Sequence, residues 1–166
     1  MKSLASILVP ICLLAHPAAA ADKNLASDKA SLEACVTKSQ DDPKRCIETI
    51  ATPCSEALPA ENEEGVNGCY DRESAAWDLL LNANYKTAVK DAETYDADAK
   101  ENGGDPEAAA NLKKAQRAWI AFRDAECDRL YARSMDGTIR FTVYAACQNR
   151  MTAERAIELG QSDAPE

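Results

Sequence analysis

The sequence predicts an all-α protein with three main helices, a helical hairpin core and a disulfide-stapled N-terminal segment. Between residues 70 and 159 the residues that interrupt helices are few: Pro106, Gly103, Gly104 and Gly137. They divide this stretch into three expected helices, at about 70–101, 106–135 and 138–159. Apolar residues recur at three- and four-residue steps within these spans, which is the period of a helix face. An even number of cysteines after the N-terminal apolar run supports a stapled domain.

The hairpin is the stretch from Leu112 to Leu159, whose two arms meet at Asp136-Gly137. These two residue types tolerate positive φ, so one helix can end there and the chain can reverse direction. Thr138 is then the expected N-cap of the second arm. The buried stripe expected on the first arm is Leu112, Ala115, Trp119, Phe122, Glu126 and Leu130, and that on the second is Tyr144, Cys147, Met151, Arg155 and Leu159.

The helix before the hairpin carries a broad apolar stripe that is expected to cover both arms. Its members are Trp77, Leu80, Leu81, Tyr85, Ala88, Val89, Ala92 and Tyr95. The segment Asn102-Gly103-Gly104-Asp105 predicts a helix end followed by a start, with Asp105 as N-cap and Pro106 at the first helical position. Further upstream we expect short helices over 28–39 and 44–50, the second ending before Pro53.

The first twenty residues form a segment of another kind. A basic start at Lys2, an apolar run over 4–14 and the small residues 18–20 are typical of a secretory signal peptide. The residues before Cys12 lack the small side chain that lipoprotein processing requires, so lipidation is not expected. We therefore divide the chain into a signal peptide (1–20), an N-terminal extension with short helices (21–53), a helical domain (54–160) and a flexible tail (161–166).

The predicted location is periplasmic or secreted, and the composition excludes several classes of protein. No stretch after the signal peptide approaches the roughly 20 apolar residues that span a bilayer, so membrane insertion is not expected. The formal net charge is −9, and removing Lys2 from the 19 basic residues leaves 18 against 28 acidic ones, or −10. Such a chain repels nucleic acid and favours encounter with basic proteins. Removal of His16, the only histidine, excludes histidine-dependent catalysis and histidine-ligated zinc, and we expect no cofactor or metal.

Cleavage of the signal peptide leaves six of the seven cysteines: Cys35, Cys46, Cys54, Cys69, Cys127 and Cys147. An even number in an exported chain predicts three disulfides rather than a thiolate site, and no Cys-x-x-Cys motif occurs. Six cysteines allow 15 pairings, and the sequence alone does not choose among them. We expect nearest-neighbour pairing, which closes three short loops.

Two groups of residues carry a resemblance to a known family. Gln116, Trp119, Arg123, Asp124, Cys127, Gly137, Cys147, Thr152, Arg155 and Leu159 form one ordered set, and Cys69, Tyr70, Glu73, Trp77, Asp78, Leu81, Asn82 and Tyr85 form the other. Together they resemble the signature of the lysozyme inhibitor LprI-like N-terminal domain family over roughly Cys54 to Leu159. The resemblance implies a small exported helical domain, a disulfide between Cys127 and Cys147, and, for the namesake, inhibition of lysozyme.

The polar residues of the hairpin have two interpretations. Gln116 and Arg155 lie on faces that otherwise point inward, which favours an interhelical hydrogen bond, or a buried charge paired with Glu126 or Asp124. We interpret Trp119 as a core residue; the alternative is an exposed Trp119–Arg123 patch for a protein or a sugar. Acidic residues are numerous enough to form a chance glycosidase-like pair, but we predict that the protein is not an enzyme.

The function expected from these features is binding of lysozyme, or of another basic protein, by occlusion without turnover. The alternative is a structural or assembly module of the cell envelope that has no inhibitory role. The expected contact regions are the acidic loop containing Glu61, Glu63 and Glu64 and the turn from Arg133 through Asp136 to Thr138. The sequence does not predict an oligomeric state.

Overall fold

The computed structural model describes residues 18–135 and 137–161, and its regular structure within these ranges is helical throughout. The helices are α1 (Ala18–Lys38), α2 (Ala51–Glu56), α3 (Glu63–Glu101), α4 (Ala108–Arg133) and α5 (Ile139–Gly160), with a 3₁₀ turn at Pro43–Cys46. The predicted all-α class and the three main helices are confirmed, and α3 begins earlier than expected. Most of the predicted signal peptide, Cys12, Asp136 and residues 162–166 lie outside the described residues.

Helices α3 and α5 run side by side in the same direction. Near their starts the Thr142 hydroxyl donates to Asn67 Oδ1 at 2.7 Å, and near the end of α5 Asn84 Nδ2 donates to the carbonyl of Ala156 at 2.8 Å. Helix α4 runs antiparallel to α5, because its early residue Gln116 meets Arg155 and its late residue Cys127 meets Cys147. The starts of α3 and α5 and the end of α4 therefore lie at one end of the bundle.

The main core lies where α1, α3 and α5 meet. It contains Leu32, Cys46, Ala76, Trp77, Leu80, Leu81, Ala153, Ala156 and Ile157. Leu32 and Trp77 are fully buried, so the N-terminal extension packs into the same core as the hairpin. A smaller cluster of Cys127, Cys147 and Met151 holds α4 against α5.

Three disulfides join the cysteines in the nearest-neighbour pattern. Cys35 bonds to Cys46, which ties α1 to the 3₁₀ turn, and Cys54 bonds to Cys69, which ties α2 to α3. Cys127 bonds to Cys147 and staples α4 to α5, as the family resemblance implied. Each loop is short, with sequence separations of 11, 15 and 20 residues, so the cross-links act between neighbouring elements.

Three local predictions about helix limits are wrong. The helix expected over 28–39 is part of α1, which begins at Ala18. The short helix expected to end before Pro53 instead begins at Ala51, and Pro53 lies in its first turn, where the missing N–H has no intrahelical partner to lose. Helix α4 begins at Ala108, not at Pro106. Its first N–H groups donate to the carboxylate of Asp96 in α3, at 2.9 and 3.0 Å, so a distant side chain provides the cap that we assigned to Asp105.

The buried face of α4 is also rotated from the predicted stripe. Phe122 is 61% exposed, whereas Gln116 and Cys127 are buried. A stripe defined by apolar residues gives no signal for polar side chains, such as Gln116, that the neighbouring helices cover. At the other end of α4 the turn follows the prediction, because Gly137 has a φ of +78°. Thr138 takes the N-cap position of α5 but makes no side-chain capping bond.

Candidate functional site

The centre of the fold contains a buried carboxylate, Glu73, that has no exposed surface. One of its oxygens accepts from the backbone N–H of Glu48 at 2.6 Å, and the other accepts from those of Ile50 and Ala51 at 2.8 and 2.7 Å. Trp77 Nε1 and Asn149 Nδ2 donate to the first oxygen at 3.0 and 3.1 Å. Five donors around one carboxylate link the segment before α2 to α3 and α5. Substrate has no route to this group, so its role is architectural.

The carboxylate of Glu73 is associated with an unusual backbone conformation at Glu48 and a raised pKa at Tyr70. Glu48, whose N–H points at the carboxylate, has a φ of +68°, a conformation that non-glycine residues rarely adopt. Tyr70 lies one turn before Glu73, and burial, followed by the negative charges of Glu48 and Glu73, raises the pKa of its phenol. The phenol is therefore held in its neutral form. The sequence analysis included Glu73 in the family pattern but did not predict that its carboxylate accepts hydrogen bonds from several elements of the fold.

A second polar tie fixes α1 to α3. Arg72 Nε and Nη2 donate to the two carboxylate oxygens of Asp28 at 2.6 and 2.7 Å, a bidentate geometry. The hydrogen bond to Asp28 raises the pKa of Arg72; burial opposes this increase, and the negative charge of Asp28 adds a smaller one. This pair positions the N-terminal extension.

The family-motif residues of the hairpin form a cluster between α4 and α5. Arg155 Nε donates to Gln116 Oε1 at 2.9 Å, which is the predicted interhelical bond. The Trp119 ring is partly buried against the main core and lies 5.2 Å from the Arg123 guanidinium and 6.0 Å from that of Arg155. Arg123 also donates to Thr152 Oγ1 at 3.3 Å. These side chains are engaged with one another, which favours architecture over an open binding patch.

The predicted acidic partner of Arg155 is wrong. Arg155 pairs with Glu158, three residues further along α5, at 2.8 Å. Glu126 pairs instead with Arg129 on α4, and that hydrogen bond lowers the pKa of Glu126. Neighbours on one helix face reach each other more easily than partners across the bundle. Among the described residues, no group of three or more metal-ligating side chains could hold a metal ion.

The predicted acidic contact region lies at the start of α3. Glu61, Glu63 and Glu64 are all exposed, and we call them the acidic ledge. Glu63 and Glu64 are in the first turn of α3, where the positive end of the helix dipole favours carboxylates. Asn62 caps the helix by accepting the N–H of Gly65 at 2.9 Å. The region is therefore a turn continued by a helix start, and not a loop throughout.

The second predicted contact region lies at the same end of the molecule. Arg133 is exposed in the last turn of α4, and Asp136 is outside the described residues. We call residues 133–135 and 137–141 the hairpin tip. The hydrogen bond between Asn67 and Thr142 places the starts of α3 and α5 next to each other, so the acidic ledge and the hairpin tip share one end of the bundle.

The hairpin tip carries apolar surface that the sequence analysis did not single out. Met135 is 62% exposed, Ile139 50% and Phe141 46%. The Phe141 ring packs edge-on against Tyr131 with centroids 5.5 Å apart, so it is held in place while remaining open to solvent. The signal in the sequence was Met135 on one side of the glycine turn and Ile139 and Phe141 on the other. Exposed apolar clusters of this kind are typical of interaction sites.

Comparisons with known proteins agree with this architecture. The family model described as lysozyme inhibitor LprI matches residues 54–159, the range over which the resemblance was identified. An uncharacterised protein of Rhizobium meliloti is 32% identical over 112 residues, which cover 64% of this chain and 78% of that protein. No solved structure matches. The family model covers both the hairpin and the helix that packs on it, and the chain therefore belongs to the lysozyme inhibitor LprI family.

Proposed function

We propose that this protein binds a lysozyme and occludes its substrate cleft without turnover. Membership of an inhibitor family supports a lysozyme-inhibitor-like function. The observation that carries the proposal is the convergence of the acidic ledge and the exposed hairpin tip at one end of the bundle. One end with both charged and apolar side chains offers a single continuous contact surface.

The charge of the chain supports a basic target. The full sequence has a formal net charge of −9. Three of its carboxylates, those of the acidic ledge, are exposed at the proposed contact surface. Opposite charges on two proteins speed their encounter, and this effect weakens as salt screens it. Electrostatics therefore contributes mainly to the rate of association.

The protein is proposed to act outside the cytoplasm, in the periplasm or after secretion. Three disulfides and the family point to an exported protein, since such bonds persist in oxidising compartments. None of the helices that the structure describes contains an apolar stretch of the length needed for a membrane span. A lysozyme that reaches the cell envelope would meet an inhibitor placed there.

Inhibition of a basic lysozyme by the oxidised protein, measured over a range of salt, tests the proposal. We expect saturable inhibition that weakens as salt rises. Replacing the ledge residues together, as Glu61→Gln, Glu63→Gln and Glu64→Gln, should slow association by roughly tenfold and reduce its dependence on salt.

The matched control neutralises three exposed carboxylates at and beyond the far end of α3: Asp98→Asn, Glu101→Gln and Asp105→Asn. It produces the same change in net charge at a distance from the proposed surface, so association should change little. Equal effects of the two sets would show that net charge alone matters. A lysozyme that is neither inhibited nor retained at low salt would refute the proposal and favour an envelope protein as the partner.

A further inference from the structure

The hairpin tip contains an arginine with an unusual environment. The Nε of Arg140 is buried and has no hydrogen-bond acceptor among the described residues. Its guanidinium lies 5.4 Å from the Tyr131 ring and 5.2 Å from the Phe141 ring, close enough for cation–π attraction to both. Within residues 18–135 and 137–161, no carboxylate forms an ion pair with Arg140, whereas Arg72, Arg123, Arg129, Arg150 and Arg155 all have one. Arg45, Arg117 and Arg133 also lack one there, but they are exposed, and Arg140 is half-buried.

The position of this guanidinium is fixed by the fold. The disulfide between Cys127 and Cys147 holds the two arms together about two turns from the tip. Tyr131 contacts Phe141 edge-on at 5.5 Å and Tyr144 at 6.3 Å, so three aromatic rings connect the end of α4 to the start of α5. A charged group held in place before binding loses little conformational freedom when it meets a partner.

The same tip offers apolar contacts around the charge. Met135, Ile139 and Phe141 are each roughly half exposed or more. Apolar and aromatic side chains around an arginine are the usual composition of an interface hot spot. The two features together fit a cleft that has apolar walls and an anionic centre.

We propose that the hairpin tip is the element that enters the substrate cleft of the lysozyme and that the two terminal nitrogens of Arg140 donate to the catalytic carboxylates there. This inference rests on the proposed function and names the residues that perform the occlusion. A glycosidase of this class has a pair of acidic groups on either side of the scissile bond, in a groove built to bind sugar rings. A guanidinium donates two parallel hydrogen bonds to a carboxylate, which gives both attraction and orientation.

The acidic ledge and the hairpin tip differ in charge, and each is complementary to a different part of such a target. The acidic ledge faces the basic outer surface of the lysozyme, and Arg140 brings positive charge to the acidic cleft. Arg133, exposed in the last turn of α4, adds a second positive charge beside the turn. Arg140 is the second residue of α5.

Three variants of the oxidised full chain test the inference through the inhibition constant. Arg140→Met removes the charge but keeps an unbranched side chain, and we expect inhibition to weaken roughly 30-fold, the size typical of an interface hot spot. Arg140→Lys keeps the charge but loses the paired donors, so it should recover only part of that loss. Met135→Ser should also weaken inhibition, and because the Met135 side chain is largely exposed, the variant should keep the stability of the unaltered protein.

Matched controls lie on α4, away from the tip. Arg117→Met removes an exposed arginine that has no ion pair among the described residues, and Phe122→Ala removes an aromatic ring that is 61% exposed. Both should inhibit as well as the unaltered protein. If these controls lose as much inhibition as the tip variants, the tip is not the specific contact and the inference is overturned.

A double-mutant cycle with the target separates contact from fold. A lysozyme in which one catalytic carboxyl is replaced by its amide should be bound more weakly by the unaltered protein, but with little further loss on Arg140→Met. A chitin trisaccharide bound in the cleft should compete with the unaltered protein. Additive losses, or no competition, would overturn the inference while leaving inhibition intact.

The results also separate this inference from the proposed function. Inhibition by the unaltered protein that Arg140→Met and Met135→Ser leave unchanged would refute the tip as the occluding element and retain the lysozyme target. A change in oligomeric state in these variants, with inhibition unchanged, would reassign the tip to contacts between copies of this chain. Absence of any inhibition would refute both proposals.

Discussion

The buried carboxylate of Glu73 leads to the sharpest prediction about stability. In a Glu73→Gln variant the side chain keeps its shape, but an amide nitrogen replaces one oxygen and faces donors. Whichever way the amide turns, that nitrogen meets at least two of the five groups that donate to Glu73. Each hydrogen bond to a charged group contributes about 1.5–3 kcal/mol, so the free energy of unfolding should fall by about 3–6 kcal/mol.

The measurement is urea-induced unfolding with the disulfides intact, followed by circular dichroism. The control is Glu101→Gln, an exposed residue at the end of the same helix, which should change stability by less than about 0.5 kcal/mol. A domain of this size is stable by about 5–15 kcal/mol, so the expected loss is large enough to be seen. If the free energy of unfolding of Glu73→Gln is within about 1 kcal/mol of that of the unaltered protein, the five hydrogen bonds do not stabilise the fold in the way described above.

Three further predictions concern the core, the hairpin staple and pH. Trp77→Ala should lower the free energy of unfolding by about 3–5 kcal/mol, whereas Trp119→Ala, at a partly buried ring, should cost less; equal losses in urea unfolding would contradict the burial pattern. Replacing Cys127 and Cys147 by alanine should cost about 3 kcal/mol, and peptide mapping without reductant that finds either thiol free would contradict the staple itself. The pKa of the Tyr70 phenol is raised, so its contribution to stability is present below pH 10.0 and is lost as the pH rises further, and Tyr70→Phe should remove that alkaline loss. The tyrosinate absorbance that this variant loses should titrate above pH 10.0; a lost component centred at pH 10.0 would show that Tyr70 titrates normally.

The sequence by itself determined the helical class, the approximate limits of the long helices and the number of disulfides. These features depend on local chemistry. Gly103 and Gly137 have φ values of +84° and +78°, a conformation that favours glycine, and so they mark turns wherever the rest of the chain lies. Short spacing between cysteines likewise made nearest-neighbour pairing a workable prediction, and the ordered motif residues identified the family.

Only the tertiary structure decided which polar groups meet. Asn149 reaches Glu73 across 76 residues of sequence, and Asp96 caps a helix that begins 12 residues later. Neither partnership leaves a local signal, because a hydrogen bond depends on distance in space rather than along the chain. The exposure of Phe122 and the shared location of the acidic ledge and hairpin tip were decided in the same way, by the direction in which α3, α4 and α5 pack.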